Sequence, residues 1–380
     1  MSRLQNVVYW GQNGGNIVEN DNLAEYCASA SGINIIVLAF LYNLSQETGI
    51  LSGSFGQSCA ITSSGYGQGC DNIASAIKTC QAAGIKIIIS MGGWASSIIL
   101  KSQSQAESIG QYLWDAYGNP NVKTVPRPFG NTLVDGFDFD IEHPDGAQYY
   151  QYLIAKLRTN FAKDLSHKYY ITGAPQCSLP EPNMGEIIKH SEFDYLWIQF
   201  YNNDCALGLD DGEHFNYYEW TSFLSTTPSR NASLFFGLPA SSLASTGTST
   251  GSKYYVTPEI VAQFINSSKS GHSFGGVMIW SAGFSDANIN NECTYAQNIH
   301  HILLNGSACG QSDSLRSSPS ATLMPTSAQA QTSLLETATA SESVGIPMWG
   351  QCGGQGYFGP TQCLPPYRCI QLSNWWSSCH

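Results

Sequence analysis

The sequence predicts an α/β fold, specifically a (β/α)8 TIM barrel of eight parallel strands, and three observations support this. Eight short apolar runs rich in Val, Ile, Leu, Phe or Tyr recur along the chain. Helix-length gaps separate the runs, as expected for buried parallel strands joined by crossover helices. The runs often end in polar or Gly residues. The predicted strands are residues 6–11, 33–40, 86–93, 133–142, 169–176, 195–202, 234–240 and 275–281.

Unusual side chains stand at the ends of these runs, where the functional groups of a parallel barrel lie. They are Tyr9, Gln12, Phe40, Ser90, Glu142, Gln176, Gln199, Tyr201 and Trp280. An open doubly wound sheet is the alternative fold, but it accounts poorly for functional residues at so many strand ends. A barrel takes about 250 residues, so a chain of 380 has room for a second, small domain.

The fourth run contains the most informative segment, residues 135–142, which reads Asp-Gly-Phe-Asp-Phe-Asp-Ile-Glu. Its alternation has the period of a strand and places Asp138, Asp140 and Glu142 together on one face. Carboxylates in such a row repel one another and share protons when they are buried. A solvated edge strand is the alternative, and the fully apolar opposite face argues against it. The pattern therefore predicts a carboxylate relay that ends in a general acid.

The series Asp-x-x-Asp-x-Asp-x-Glu resembles the signature of family 18 glycoside hydrolases, the chitinases. The resemblance implies that Glu142 is the proton donor to the glycosidic oxygen. It implies that Asp140 orients the acetamido group of the substrate and exchanges a proton with Asp138, and that Asp135 is a structural carboxylate. In that family the N-acetyl carbonyl of the substrate is the nucleophile, so an oxazolinium ion forms and configuration is retained. No metal and no cofactor are expected.

Two further motifs resemble the same family. Ser-Met-Gly-Gly at 90–93 resembles its Ser-x-Gly-Gly motif, whose small residues let the backbone approach the catalytic strand and the sugar. Trp94 follows this motif and is a candidate stacking wall or gap filler. The resemblance implies that Tyr201 hydrogen-bonds the acetamido oxygen and that Gln199 lines the −1 subsite. A packing role is the alternative for Tyr201.

The remaining substrate-binding candidates are aromatic or amide side chains at strand ends. The resemblance implies that Trp280 forms the floor under the −1 sugar, although a lone Trp is as often part of a core. We expect Tyr9, Gln12 and Phe40 to bind substrate as well. The resemblance also implies two non-proline cis peptide bonds, at positions 39–40 and 280–281.

The twelve cysteines are even in number and contain no Cys-x-x-Cys pair, which indicates an oxidising compartment rather than zinc or thiol redox chemistry. Tyr-Trp-Gly-Gln-Asn at 9–13, Ala-Pro-Gln-Cys at 174–177 and Gly-Leu-Pro-Ala at 237–240 resemble plant-type (class III) chitinases, over residues 6–305. That resemblance implies the disulfides Cys27–Cys80, Cys59–Cys70 and Cys177–Cys205. Cys293–Cys309 remains as a further pair by elimination.

Composition divides the chain into a catalytic domain at 1–309, a linker at 310–346 and a carbohydrate-binding module at 347–380. The predicted linker is rich in Ser, Thr and Ala and contains no Trp, Tyr, Phe or Cys. Such a segment buries too little apolar area to order itself, so we expect a flexible, O-glycosylated linker. An extension of the barrel is the alternative.

The last segment is too small to fold without staples, and its four cysteines allow three pairings. It resembles the fungal family 1 cellulose-binding module over its whole length. The resemblance implies a small antiparallel β module with the pairs Cys352–Cys369 and Cys363–Cys379. It also implies a flat face of Trp349, Trp375 and Trp376 that stacks on sugar rings. A mini-core of the three Trp is the alternative, although two adjacent residues of a strand cannot both point inward.

Charge and targeting signals limit the partners and the location. A formal net charge of -12 argues against nucleic acid, and no apolar run approaches the ~18–20 residues that span a membrane. Sequons at Asn43, Asn231, Asn266 and Asn305 agree with a secreted glycoprotein. The start Met-Ser-Arg-Leu runs directly into a strand without a visible signal peptide. We therefore expect a trimmed or restarted chain, extracellular or in the cell wall.

Three functions fit these observations. The leading one is a secreted, monomeric chitinase that acts on chitin and chito-oligosaccharides, with a tail that binds chitin or cellulose. A catalytically silent carbohydrate-binding protein is the second, but such relatives usually lose the residue at the Glu142 position or its Asp neighbours. An endo-β-N-acetylglucosaminidase that cuts N-glycans is the third, and a tail shaped for an insoluble polymer argues against it.

Overall fold

The computed structural model describes residues 4–119, 121–310, 351–353, 361–365, 367–371 and 377–379. The chain divides into two compact units, Met1–Arg316 and Ser317–His380. In the first unit eight parallel strands close into a barrel, because the first strand pairs with both the second and the last. These strands are β1 Gln5–Trp10, β2 Ile35–Leu44, β3 Lys86–Gly92, β4 Gly136–Asp140, β5 Tyr170–Gly173, β6 Tyr195–Gln199, β7 Ser233–Pro239 and β8 Phe274–Trp280. The predicted barrel is confirmed.

All eight predicted strands are present, and their ends differ from the prediction by a few residues. β2 runs past Phe40 to Leu44, because its last residues pair with an antiparallel strand at Leu51–Phe55. β4 ends at Asp140 and β6 ends at Gln199. Glu142 and Tyr201 therefore lie two residues beyond their strands, in the loops at the carboxyl end of the barrel.

Helices cover the outside of the barrel and connect successive strands. The first crossover contains the short 3-10 helices Leu23–Cys27 and Ser29–Ser31, and an insertion after β2 adds the strands Leu51–Phe55, Cys59–Ile61 and Gly67–Gln68. The α-helices are α1 Asp71–Ala82, α2 Gln103–Leu113, α3 Tyr150–Phe161, α4 Gly185–His190, α5 Tyr217–Leu224, α6 Pro258–Ser268, α7 Ala282–Asp286 and α8 Tyr295–Asn305. Each buries an apolar stripe, as Leu153, Ile154 and Leu157 of α3 show. The Oγ1 of Thr294 accepts from the N–H of Gln297 and begins α8 with a capping box.

The barrel interior is a second, smaller core that becomes polar toward one end. Its apolar part is formed by inward-facing residues such as Val7, Val37, Ile88 and Met278. Residues at the same inward-facing positions nearer the strand ends include Asp138, which is fully buried. Because side chains alternate along a strand, every second residue points into the barrel. The apolar core residues and, nearer the strand ends, the carboxylates therefore occupy the same inward-facing positions.

Disulfides cross-link the segments that connect or follow the barrel strands of the first unit, in the predicted pairs. The four bonds are Cys27–Cys80, Cys59–Cys70, Cys177–Cys205 and Cys293–Cys309. Both predicted non-proline cis peptides, Ala39–Phe40 and Trp280–Ser281, are also present, together with a cis proline at Leu179–Pro180. The disulfide pairing agrees with the oxidising compartment that the cysteine content predicts.

The second unit contains a small antiparallel sheet. Its strands are Gln351–Gly353, Cys369–Gln371 and Ser377–Cys379, with the last strand in the middle. The predicted Cys352–Cys369 bond is present. Cys363 is disulfide-bonded, whereas the side chain of its predicted partner Cys379 lies outside those described. Residues 311–346 of the predicted linker, and the predicted binding-face residues Trp349, Trp375 and Trp376, also lie outside the described residues.

Candidate active site

Asp138 is the best-anchored carboxylate at the carboxyl end of the barrel. Its Oδ2 accepts from the Tyr9 hydroxyl at 2.6 Å and from the Ser90 hydroxyl at 2.7 Å. Its Oδ1 accepts from the Thr172 hydroxyl at 2.7 Å and from Nε1 of Trp197 at 2.9 Å. Burial raises the pKa of Asp138, and these four donors oppose that rise by stabilising the carboxylate.

Asp140 is nearly as buried as Asp138, but its surroundings favour the protonated form more strongly. Nε2 of Gln199 donates to its Oδ1 at 3.0 Å and to the carbonyl oxygen of Ala174 at 2.9 Å. Burial, followed by the charges of Glu142 and Asp138, raises the pKa of Asp140 well above its usual value. The protonated form of Asp140 is therefore favoured in the free protein.

Glu142 lies just beyond β4, is half-buried and lines an open cleft. Burial raises its pKa from 4.5 to about 7. Tyr201 is 6% exposed, and burial together with the charges of Asp140 and Glu142 raises the pKa of its hydroxyl well above 10.0. At neutral and mildly acidic pH the site thus offers a proton on Glu142 and an O–H donor on Tyr201.

The cleft above these groups has a volume of ≈ 540 Å³ and an aromatic floor. The rings of Phe40 and Trp280 stack with centroids 5.9 Å apart, and the ring of Tyr9 lies 5.6 Å from that of Trp280. Trp94 stands at the rim with 89% of its surface exposed. A cleft of this size with an apolar floor and convergent polar groups is typical of a binding site for a sugar-sized ligand.

Gly92 shows why the Ser-x-Gly-Gly segment needs small residues. A Cβ atom on Gly92 would lie 1.9 Å from the carbonyl oxygen of Asp140, and one on Gly93 would lie 3.0 Å from the Phe40 ring. The N–H of Gly93 donates to the carbonyl oxygen of Asp140 at 2.8 Å. Both glycines have positive φ. The motif therefore lets β3 approach the catalytic strand closely, as expected.

Most of the predicted site residues line this cleft, whereas Tyr9 and Asp138 are fully buried. Asp135 and Gln176 take supporting positions. Oδ2 of Asp135 accepts from the N–H of Ile87 at 2.7 Å, and its Oδ1 lies 3.0 Å from Nε2 of His167, at the beginning of β4. This agrees with a structural carboxylate. Gln176 is half-buried beyond β5, where its Oε1 accepts from Nδ2 of Asn203 at 3.3 Å.

Sequence reasoning missed several residues of the site. Trp197 could have been found, because it lies two residues before Gln199 and therefore on the same face of β6. Thr172 could have been found in the same way, because side chains also alternate along β5. Phe284 and the loop at 244–247 also line the cleft, but they come from segments beyond β8 and β7 that carry no motif.

Within the described part of the chain, no group of three or more His, Cys, Asp or Glu side chains could hold a metal ion. Over the same residues, none of the helices is both long enough and apolar enough to cross a bilayer.

A (β/α)8 barrel with a protonatable glutamate next to two buried aspartates, above an aromatic floor, defines a class: the glycoside hydrolases, which cleave sugar linkages with carboxyl groups. Comparison with protein families makes the assignment specific. Residues 5–257 match the Glycosyl hydrolases family 18, and residues 348–376 match the Fungal cellulose binding domain. The chain belongs to glycosyl hydrolase family 18.

Individual relatives agree with this assignment. Endochitinase 2 of Metarhizium anisopliae is 56% identical over 383 residues, which cover 99% of this chain and 91% of that protein. The solved chitinase of Ipomoea carnea superposes with a TM-score of 0.65 at 28% identity, over 78% of this chain and 98% of that one. The xylanase and α-amylase inhibitor protein XAIP-II of Scadoxus multiflorus gives a TM-score of 0.63 at 26% identity, over 78% and 97%.

Proposed function

We propose that this protein is a chitinase, which hydrolyses β-1,4 bonds between N-acetylglucosamine units by a retaining, substrate-assisted mechanism. One observation carries the proposal: Glu142, whose pKa is raised to about 7, lines the cleft together with Asp140, whose pKa is also raised. A carboxylic acid that keeps its proton near neutral pH is what protonation of a glycosidic oxygen requires.

The first chemical step uses three side chains. Glu142 transfers its proton to the glycosidic oxygen as the bond from that oxygen to the anomeric carbon breaks. The carbonyl oxygen of the neighbouring acetamido group forms a new bond to the same carbon, which gives an oxazolinium ion. Asp140 accepts from the acetamido N–H, and Tyr201 donates to the acetamido oxygen, so the group is held in position for attack.

Asp138 supports the step through the proton that it shares with Asp140. The substrate needs Asp140 to accept a hydrogen bond, whereas burial and the charges of Glu142 and Asp138 favour the protonated form of Asp140 in the free enzyme. Transfer of that proton to Asp138 frees Asp140 as an acceptor while the oxazolinium charge develops. In the second step Glu142, now a carboxylate, takes a proton from the water that opens the ion, and configuration is retained.

The aromatic side chains and the tail provide binding rather than chemistry. Pyranose rings present C–H faces that suit the stacked pair of Phe40 and Trp280 at the floor of the cleft. The match of residues 348–376 to a cellulose-binding domain supports a second, non-catalytic contact with an insoluble polymer. We propose the domain limits 1–309, 310–346 and 347–380, a monomeric state, and chitin or cellulose as the polymer that the tail binds.

We further propose that the protein is secreted. The four disulfides of the barrel require an oxidising compartment. The Metarhizium relative named Endochitinase 2 matches nearly the whole chain, and a polymer-binding module is useful where insoluble polysaccharide is found.

A silent binding protein on the same fold is the second candidate, because one structural relative is named an inhibitor protein and a fold by itself does not decide function. The protonatable Glu142 and the complete series of acidic residues favour the enzyme. An enzyme that cleaves N-glycans would use the same chemistry, and the match to a cellulose-binding domain favours chitin over that substrate.

The test is hydrolysis of defined chito-oligosaccharides by the intact protein and by Glu142→Gln, with the product anomers followed by NMR. We expect the β-anomer to appear first and the rate to fall by about 10²–10⁴ in the variant. Glu186→Gln changes an exposed glutamate on α4 and serves as the matched control, with unchanged turnover. Turnover of a glycoprotein but not of chito-oligosaccharides would replace the chitin assignment, and binding without any turnover would favour the silent protein.

A further inference from the structure

Glu19 is a buried carboxyl group that the proposed mechanism does not use. It is 3% exposed and lies in the segment that follows β1. Other buried acids outside the cleft have evident roles, since Asp135 holds the beginning of β3 and Glu181 accepts from the backbone N–H groups that begin α4. A buried carboxyl group is costly unless its contacts compensate, so the contacts of Glu19 indicate its purpose.

Those contacts join the ends of two barrel strands. Oε1 of Glu19 accepts from the N–H of Gly11 at 2.5 Å, and Oε2 accepts from the N–H of Gly283 at 3.1 Å. Gly11 directly follows β1, and Gly283 lies three residues after Trp280 of β8. One carboxyl group therefore bridges the backbone that carries the predicted substrate-binding residue Gln12 and the backbone that carries the floor of the cleft.

The segment that carries Glu19 is itself held firmly. The N–H of Glu19 donates to Oδ1 of Asn13 at 2.8 Å, and its carbonyl oxygen accepts from Nε2 of Gln57 at 2.9 Å. A Cβ atom on Gly283 would lie 3.0 Å from Cβ of Glu19. The carboxyl group thus has little freedom, and the two strand ends that it joins are fixed relative to each other.

The contacts of Glu19 also extend toward Phe40, the second ring of the floor. A Cβ atom on Gly11 would lie 2.5 Å from the carbonyl oxygen of Ala39, and Nε2 of Gln12 donates to that same oxygen at 3.0 Å. Ala39 directly precedes Phe40, whose ring stacks on Trp280. From Glu19, short contacts therefore reach the backbone next to Phe40 through Gly11 and the backbone that follows Trp280 through Gly283.

We propose that Glu19 is a positioning residue that sets the separation and angle of the Phe40–Trp280 pair, and thereby the fit of the sugar above the catalytic carboxyl groups. This inference rests on the proposed function in so far as the pair is the floor of a sugar subsite. Glu19 touches no substrate itself. Its effect on catalysis depends entirely on the position of the two rings. This dependence distinguishes Glu19 from a residue that only stabilises the fold.

A double-mutant cycle tests this coupling through kcat/KM on a chito-oligosaccharide. Glu19→Gln keeps the shape but turns an N–H₂ group toward one of the two backbone donors, and we expect kcat/KM to fall about tenfold or more. Combined with Trp280→Phe, the same change should cost at most about twofold further, because the feature that Glu19 positions is already altered. Losses that multiply fully in the double variant would overturn the proposal, as would an unaffected kcat/KM in Glu19→Gln.

Glu181→Gln is the matched control, because Glu181 is also a buried acid that accepts from backbone N–H groups but lies beyond β5. If Glu181→Gln lowers kcat/KM, that loss should multiply with the loss from Trp280→Phe. Coupling of Glu181 to Trp280 as strong as that of Glu19 would contradict a specific role. Glu19→Asp, which retracts the carboxyl group by one methylene, replaces Glu19→Gln if that variant does not fold.

A second measurement does not depend on turnover. In a crystal structure of the Glu19→Gln variant we expect the centroid distance between Phe40 and Trp280 to depart from the 5.9 Å of the native pair. An unchanged pair would refute the positioning role even in a protein with altered activity. If the native chain hydrolyses no chito-oligosaccharide, the proposed function fails, and this comparison still decides the role of Glu19.

Discussion

The protonation of Glu142 gives the most direct quantitative prediction, the pH dependence of turnover. Burial raises the pKa of this group from 4.5 to about 7. A general acid works only in its protonated form, and a pKa of about 7 leaves about 90% protonated at pH 6, about half at pH 7 and about 10% at pH 8. The rate limited by this acid should therefore fall about tenfold between pH 6 and pH 8.

The assay is kcat/KM on a soluble chito-oligosaccharide from pH 4 to pH 9 at constant ionic strength, because this ratio reports the ionisations of the free enzyme. The pH profile of the residual turnover of Glu142→Gln should lack the fall at alkaline pH, since an amide does not titrate in this range. The unbound protein should show the same ionisation in a carboxyl titration by NMR. An alkaline limb centred near 4.5 would refute the burial argument, because it would mean that Glu142 is solvated like a free carboxyl group.

Three further predictions concern the binding groups and the stability. Tyr201→Phe removes one O–H donor from the cleft and should lower kcat by about 10- to 100-fold with a smaller change in KM; an equal loss in binding of unreacted substrate would contradict a role specific to the transition state. Trp94→Ala removes an exposed ring and should raise KM by about 2- to 10-fold at constant kcat, which initial-rate kinetics on long and short oligosaccharides will check. Raised pKa values at Glu19, Glu142 and Glu181 mean that the folded state holds more protons than the unfolded state, so the free energy of unfolding should fall as pH rises from 4.5 through 7 to 8. Calorimetric Tm values that rise across this window would contradict this prediction.

The barrel and the acidic centre of the site are predictable from the sequence because both depend on a local period. A buried parallel strand needs a nearly continuous apolar run, and the eight runs are visible for that reason. The alternation of residues 137–142 by itself places Asp138, Asp140 and Glu142 on one face. Glu142 does lie beyond the end of β4, but the two-residue spacing still brings it to the cleft.

The parts that could not be predicted depend on contacts between distant segments. The loop at 244–247 lines the cleft only because the connection after β7 folds back over the barrel end. The bridging role of Glu19 depends on Gly11 and Gly283, which are 272 positions apart in the numbering of the chain. No sequence motif indicates that these two residues come close together, because the position of each one depends on the packing of its own loop.

The four donors to Asp138 have a consequence for the conditions under which the site can work. Tyr9, Ser90, Thr172 and Trp197 are all neutral, and burial keeps the Tyr9 hydroxyl protonated even at high pH. An ion pair at the surface weakens as dissolved salt screens it, whereas a buried carboxylate held by neutral dipoles has no counter-charge for mobile ions to screen. The protonation state of Asp138 should therefore be insensitive to ionic strength and should be the same in concentrated salt and in dilute buffer.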